Sequence, residues 1–295
     1  MLIMLLRSLI KSDLVMLKKC DFRNSKADLG EGVYWHSEHN SLFWVDINHS
    51  ILFSCSSGHI FKYQISGNAS TVLSVEGDFV CLSNRSGLIN YHLASGEINQ
   101  ISKTPIQYNS REYRANDGLR LCDNLYMYGV MRDIPTKNDG ALILSQNGIS
   151  KVVHAGIAIP NTFIKIPNSN SLLITDSFEG VVYKITFNEA WSFVVSKVKW
   201  FDLSRTNTTP DGGCISSDGR IFIAIWDGSK IVELDLNGKL IQEFNLPVPR
   251  PTNCTLDTSE SQLFITTAYE GLTEHNRQKY PLSGSILTVD LVHVS

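Results

Sequence analysis

Short apolar runs bounded by turn residues recur along the whole chain, and stretches with the i, i+3, i+4 apolar spacing of an amphipathic helix are hard to find. This pattern predicts an all-β protein. Six hairpin cores can be marked: 41–46 with 51–55, 79–83 with 87–92, 125–130 with 141–144, 172–176 with 181–187, 221–226 with 230–235, and 263–267 with 285–290. Their starts fall roughly 35 to 50 residues apart, a spacing typical of propeller blades. Several share a finer grammar, in which a strand ends in a polar residue, a turn follows and a second strand begins: Trp44-Val-Asp-Ile-Asn-His-Ser-Ile-Leu, Ile174-Thr-Asp-Ser-Phe-Glu-Gly-Val-Val-Tyr and Ala224-Ile-Trp-Asp-Gly-Ser-Lys-Ile-Val. Sheets this small cannot bury both faces alone, so the units must stack face to face and close into a ring that shields most strand edges. Six units make a six-bladed β-propeller. Residues 14–19 are expected to supply the strand that closes the ring against the last unit. No Pro/Gly/Ser-rich linker interrupts the series, so residues 14–295 read as one domain behind an N-terminal extension, residues 1–13.

Composition narrows the partners. At 295 residues, 43% hydrophobic and 19% charged, the chain can bury a large core. A net charge of -3 leaves no basic excess for neutralising phosphates, which argues against nucleic acid and anionic membrane surfaces. The six cysteines lack CxxC spacing and lie mostly in apolar strand-like runs, so they read as buried free thiols. The apolar start is cut by Arg7 and Lys11, and no other segment approaches the roughly 20 apolar residues of a membrane span. The expectation is a cytoplasmic protein, a monomer or weak homodimer.

Candidate chemistry sits in the turns that lead into the innermost strands, which in a propeller converge on one end of the central channel. Glu31 in Gly-Glu-Gly, Asn161 in Ile-Pro-Asn-Thr and Asp211 in Thr-Pro-Asp-Gly-Gly occupy comparable positions. Taken singly, each reads as a turn former. Together they offer two carboxylates and an amide oxygen, a hard set suited to one divalent cation such as Ca²⁺, Mg²⁺ or Mn²⁺. Arg114, Asn116 and Asp117, in Arg-Ala-Asn-Asp-Gly, add a guanidinium, an amide and a carboxylate, either for a polyhydroxylated ligand or as an ordinary Asn-Asp-Gly turn. His36 and His39 suggest zinc, but strand geometry would point them to opposite faces. Trp226 and Tyr269 read as channel stacking surfaces or packed blade aromatics. Serine-hydrolase, zincin and Walker motifs are absent from the sequence.

The segments Gly-Glu-Gly-Val-Tyr-Trp through Leu-Phe-Trp-Val-Asp-Ile, Arg-Ala-Asn-Asp-Gly, Tyr-Gly-Val-Met, Ile-Pro-Asn-Thr through Ile-Thr-Asp-Ser, Pro-Asp-Gly-Gly-Cys-Ile-Ser-Ser-Asp-Gly-Arg and Leu-Phe-Ile-Thr-Thr-Ala follow one another in an ordered set. In this the chain resembles the SMP-30/gluconolactonase/regucalcin family of sugar-lactone hydrolases. The resemblance implies a six-bladed propeller whose cation, calcium before magnesium, manganese or zinc, is held by Glu31, Asn161 and Asp211. It further implies substrate contacts from Arg114 and Asn116 and a supporting role for Asp117. Two positions depart from the family pattern. Thr162 stands where Gly commonly follows the ligand Asn, and Arg132 with Asp133 stands where an acidic substrate contact is usual, with Asp133 as the substitute and Arg132 as a change in sugar preference.

The activity this implies is hydrolysis of a small-molecule sugar lactone to the open acid, with Asp211, or secondarily Asp117, as proton acceptor. Two other readings are a phosphotriesterase- or arylesterase-like propeller and a non-catalytic calcium-binding regulator.

Overall fold

The computed structural model describes residue 22 and residues 25–291. Six antiparallel sheets follow one another along the chain. Blade 1 is β1 (Gly30–His36), β2 (Ser41–Asp46), β3 (Ile51–Ser56) and β4 (His59–Gln64); blade 2 is β5 (Thr71–Glu76), β6 (Phe79–Asn84), β7 (Gly87–His92) and β8 (Ile98–Lys103). Blade 3 is β9 (Tyr113–Cys122), β10 (Leu125–Arg132), β11 (Ala141–Gln146) and β12 (Ile149–Ala155); blade 4 is β13 (Pro160–Lys165), β14 (Ser171–Asp176), β15 (Val181–Phe187) and β16 (Val194–Asp202). Blade 5 is β17 (Thr209–Ile215), β18 (Ile221–Trp226), β19 (Lys230–Leu234) and β20 (Leu240–Asn245). Blade 6 has three described strands, β21 (Pro251–Leu256), β22 (Gln262–Thr267) and β23 (Leu287–Asp290), with a short helix α1 (Glu274–Lys279) between the last two.

All six expected hairpin cores are second-to-third strand pairs of blades, and the reason lies in burial. Strands β2, β14 and β22 are buried along their whole length, so they read as continuous apolar runs closed by turns. The fourth strands β4 and β20 are largely exposed and carry no such signal. Six hydrophobic clusters each span one seam between neighbouring blades. The seam from blade 6 to blade 1 closes the ring, with Phe264 and Ile286 packed against Trp44 and Phe53, and Trp35 stacked on Phe264 at 5.4 Å. The protein is therefore a six-bladed β-propeller. The expected closing strand, residues 14–19, lies outside the described residues.

The repeated aspartate at the end of a second strand has a structural task. Asp46 accepts the backbone N–H of Asp28 at 2.8 Å and of Leu29 at 3.4 Å, and Asp176 accepts those of Ala158 at 2.9 Å and Ile159 at 3.2 Å. Each carboxylate thus pins the chain just before an inner strand, ahead of Glu31 and Asn161 respectively.

Two expectations need correction. Cys55 is disulfide-bonded, while Cys81, Cys122, Cys214 and Cys254 are free and Cys122 is exposed, so the cysteines are not uniformly buried thiols. His36 and His39 do not diverge: His39 lies in the turn after β1, outside strand alternation, and the two rings are 5.0 Å apart. No helix among the described residues is long and apolar enough to cross a membrane.

Candidate functional site

Neighbouring blades meet at their inner strands β1, β5, β9, β13, β17 and β21, and every one of these is irregular where it passes the channel. Glu31 pairs with Val45 and Asn161 with Thr175, each just before a bulge; Asn116, Asp117 and Asp211 lie inside bulges. A bulge turns a side chain out of strict alternation, so consecutive residues such as Asn116 and Asp117 can both be used. Asp211 stands one residue deeper than the positions of Glu31 and Asn161, since Pro210 is the residue paired with Ile225. The three positions are thus comparable in blade location but not in register.

A cavity of about 270 Å³ is lined by Glu31, Arg114, Asn116, Asn161 and Asp211 together. Apart from the half-buried Arg114, these side chains are buried. Asn161 is held at both ends: its Oδ1 accepts from Asn116 Nδ2 at 2.6 Å, and its Nδ2 donates to Ser177 Oγ at 2.9 Å. Arg114 Nη1 in turn donates to Asn116 Oδ1 at 2.5 Å and to the Ala115 carbonyl at 3.0 Å. One lone pair of Asn161 Oδ1 stays available for a cation, and Arg114 has donors to spare for a ligand. Fixing a donor amide through its other contacts is how an outer shell orients a metal ligand.

Electrostatics supplies the test of fit. Burial, reinforced by the charge of Asp117, pushes Glu31 up to about 8, against N–H bonds from Gly32 and Asn253 that favour its ionised form. Burial, with repulsion from Glu31 and Asp117, drives Asp211 well above the usual carboxylate range. Burial also raises Asp117 to about 6 although backbone N–H groups of Gly118, Phe163 and Thr162 and the Thr71 side chain hold it. Glu31, Asp211 and, behind them, Asp117 repel one another, while the Arg114 guanidinium opposes the charge of Glu31 and Asp211. A hard divalent cation with oxygen ligands is the group that would relieve this excess, so the residues fit one. Among the described residues no three His, Cys, Asp or Glu side chains gather to hold an ion, so the candidate set is Glu31, Asp211 and the Asn161 amide.

Asp117 lines a second cavity of about 370 Å³ along with Thr71, Ser74 and Cys214. It is not among the residues that line the first cavity. Asp133 is outside the first cavity, its carboxylate gripped by Arg85 at 3.0 and 3.1 Å. Arg132 is turned to Glu112 at 2.9 Å and Asp139 at 3.3 Å and does not line the cavity. Trp226 is a cavity wall with Arg250 4.8 Å from its ring centroid, whereas Tyr269 faces a different pocket beneath Arg277. Asn253 was not legible as a site residue: it donates to Glu31, and a side chain at Gly212 would meet it at 2.3 Å. Ser177, which joins Asn161 to the Pro210 carbonyl at 2.8 Å, also had no sequence signal beyond following Asp176.

Comparison with known proteins agrees with this architecture. The chain is 24% identical to the pentonolactonase XacC of Haloferax volcanii, covering 81% of each chain, and 24% identical to a regucalcin of Gallus gallus, covering 88% of this chain and 90% of the other. Its fold superposes with a TM-score of 0.85 on the crystal structure of a calcium-binding regucalcin from Agrobacterium tumefaciens, at 18% identity over 91% of this chain and 92% of that one. The family described as SMP-30/Gluconolactonase/LRE-like region matches residues 29–269, nearly the whole propeller. This protein belongs to that family.

Proposed function

We propose that the protein is a metal-dependent lactonase that opens a sugar lactone of the aldonolactone type to its acid. The observation that supports it most is the convergence of two buried carboxylates and a doubly anchored amide with Arg114 on one cavity. The lactonase among its relatives supports the substrate class. Glu31, Asn161 and Asp211 would hold one divalent cation, calcium first. Bound there, the cation would supply Lewis-acid polarisation of the lactone carbonyl and a more acidic water.

The chain's own groups complete the chemistry. Asp211 accepts the proton of the attacking water, since its carboxylate lines the cavity and Asp117 faces the chamber behind. Arg114 offers its remaining N–H groups to sugar hydroxyls, and Asn116 holds that guanidinium in place. Leu29, Met131 and Trp226 give the cavity an apolar side against which a sugar ring can pack. The cavity is open and mixed in character, which favours a lactone over the purely apolar esters of an arylesterase.

A pH-indicator assay tests the reading: metal-stripped protein is offered a panel of aldonolactones while Ca²⁺, Mg²⁺, Mn²⁺ or Zn²⁺ is restored one at a time. Acid release that depends on a cation is the expected result. Silence across the panel with cation binding retained would move the protein to the non-catalytic calcium-binding class.

A further inference from the structure

Among the described strands the six sheets are separate, so the spacing of donors on different blades depends on contacts across the seams. Between Asn161 on blade 4 and Asp211 on blade 5, hydroxyls add polar ties to the apolar seam. Thr175 Oγ1 donates to Thr162 Oγ1 at 2.7 Å, and Thr162 Oγ1 donates to the Asp211 main-chain carbonyl. Ser177 Oγ grips the preceding carbonyl, that of Pro210, at 2.8 Å. The peptide groups on both sides of Asp211 are thereby tied to blade 4.

Thr162 occupies this place at a conformational cost. Its φ is +59°, close to the +56° of Gly32, which follows Glu31 at the matching bulge. A β-branched residue is strained there and glycine is not. At Gly32 a Cβ would sit 2.4 Å from Thr71 Cα, so glycine is obligatory, whereas at 162 a fully buried threonine is accommodated and uses its hydroxyl. Strain of this kind persists where surrounding bonds over-determine it. A related device recurs across the ring, where the Thr252 hydroxyl donates to the Gly30 carbonyl beside Glu31, with Thr266 Oγ1 at 2.9 Å.

We infer that Thr162 is a positioning residue, a hydroxyl latch between blades 4 and 5 that sets the separation of the Asn161 and Asp211 oxygens. The inference rests on the metal reading above. It accounts for a threonine at a position where the backbone favours glycine.

The test compares wild type with Thr162→Gly, Thr162→Ser and Thr162→Val. Calcium and manganese affinity are measured by calorimetry on metal-stripped protein, alongside thermal unfolding without metal. Thr162→Gly fits the positive φ, so its metal-free melting temperature should hold or rise while cation affinity falls roughly 10- to 100-fold, the usual loss when an outer-shell partner is removed. Thr162→Ser, which keeps the hydroxyl, should recover most of that affinity, and Thr162→Val should not. Wild-type affinity in Thr162→Gly would overturn the latch while leaving the metal site standing. Failure of wild type to bind either cation would overturn the metal reading and the latch together.

Discussion

Asn116 Nδ2 donates to Asn161 Oδ1 at 2.6 Å, a bond between blades 3 and 4 that orients a candidate metal ligand from a neighbouring sheet. Asn116 also accepts from Arg114, so one amide couples the group proposed for substrate to the group proposed for metal. Asn116→Ala should therefore weaken calcium binding by roughly 10- to 100-fold and raise KM, because it frees both neighbours. It should also cost about 1–3 kcal/mol of stability, the penalty for stranding buried polar partners. Calorimetry and steady-state kinetics on the variant decide this; loss confined to stability would separate Asn116 from the site.

The pH dependence of the metal-free protein has a definite sign. Glu31 holds its proton up to about 8 against an ordinary 4.5, and Asp117 up to about 6 against 3.8. A carboxyl whose folded pKa is raised contributes stability that is full below its unfolded value and is lost as pH climbs through the folded one. Metal-free protein should therefore lose stability as pH rises from near 4 through about 8. A cation should reverse the trend, since it binds the ionised carboxylates and releases their protons. Melting curves with chelator and with calcium across this range give the answer; a chelated protein that grows more stable toward pH 8 would refute it.

Asp211→Asn keeps shape but removes one of three repelling carboxylates. The metal-free variant should melt higher than wild type, while cation-dependent turnover falls to background. Trading site function for stability in this way is typical of strained active centres. Full activity in this variant would remove Asp211 from both of its proposed roles.

Gly212→Ala probes Asn253 without touching a proposed ligand. The added Cβ would lie 2.3 Å from Asn253 Cγ, and overpacking of this kind costs about 1–3 kcal/mol. If Asn253 is displaced, Glu31 loses a hydrogen bond that favours its charged form. Cation affinity should then drop most near neutral pH and recover as pH rises. An affinity loss that is uniform in pH would point to a simple steric effect.

The order of units and the propeller were legible because each leaves a local trace, and the three candidate oxygen donors stand out in the sequence for the same reason. Middle strands buried on both faces appear as unbroken apolar runs, and Glu31, Asn161 and Asp211 sit beside Gly or Pro at the start of inner strands. The place of Asp133 was not legible for a local reason too: its nearness to the Gly-x-Met segment says nothing of Arg85, 48 residues away, whose guanidinium binds its carboxylate away from the cavity lining.

By itself, then, the chain's alternation of apolar runs and turns determined the blades, their number and the elements that carry the chemistry. Only the closed ring decided which of those groups meet. Asn253 against Glu31, Thr162 against Asp211 and Asn116 against Asn161 join different blades, and no periodicity along a chain encodes a contact between sheets that share no ladder. The tertiary structure also decided the protonation of the site, because desolvation and repulsion among carboxylates arise only when distant strands bring them into one buried channel.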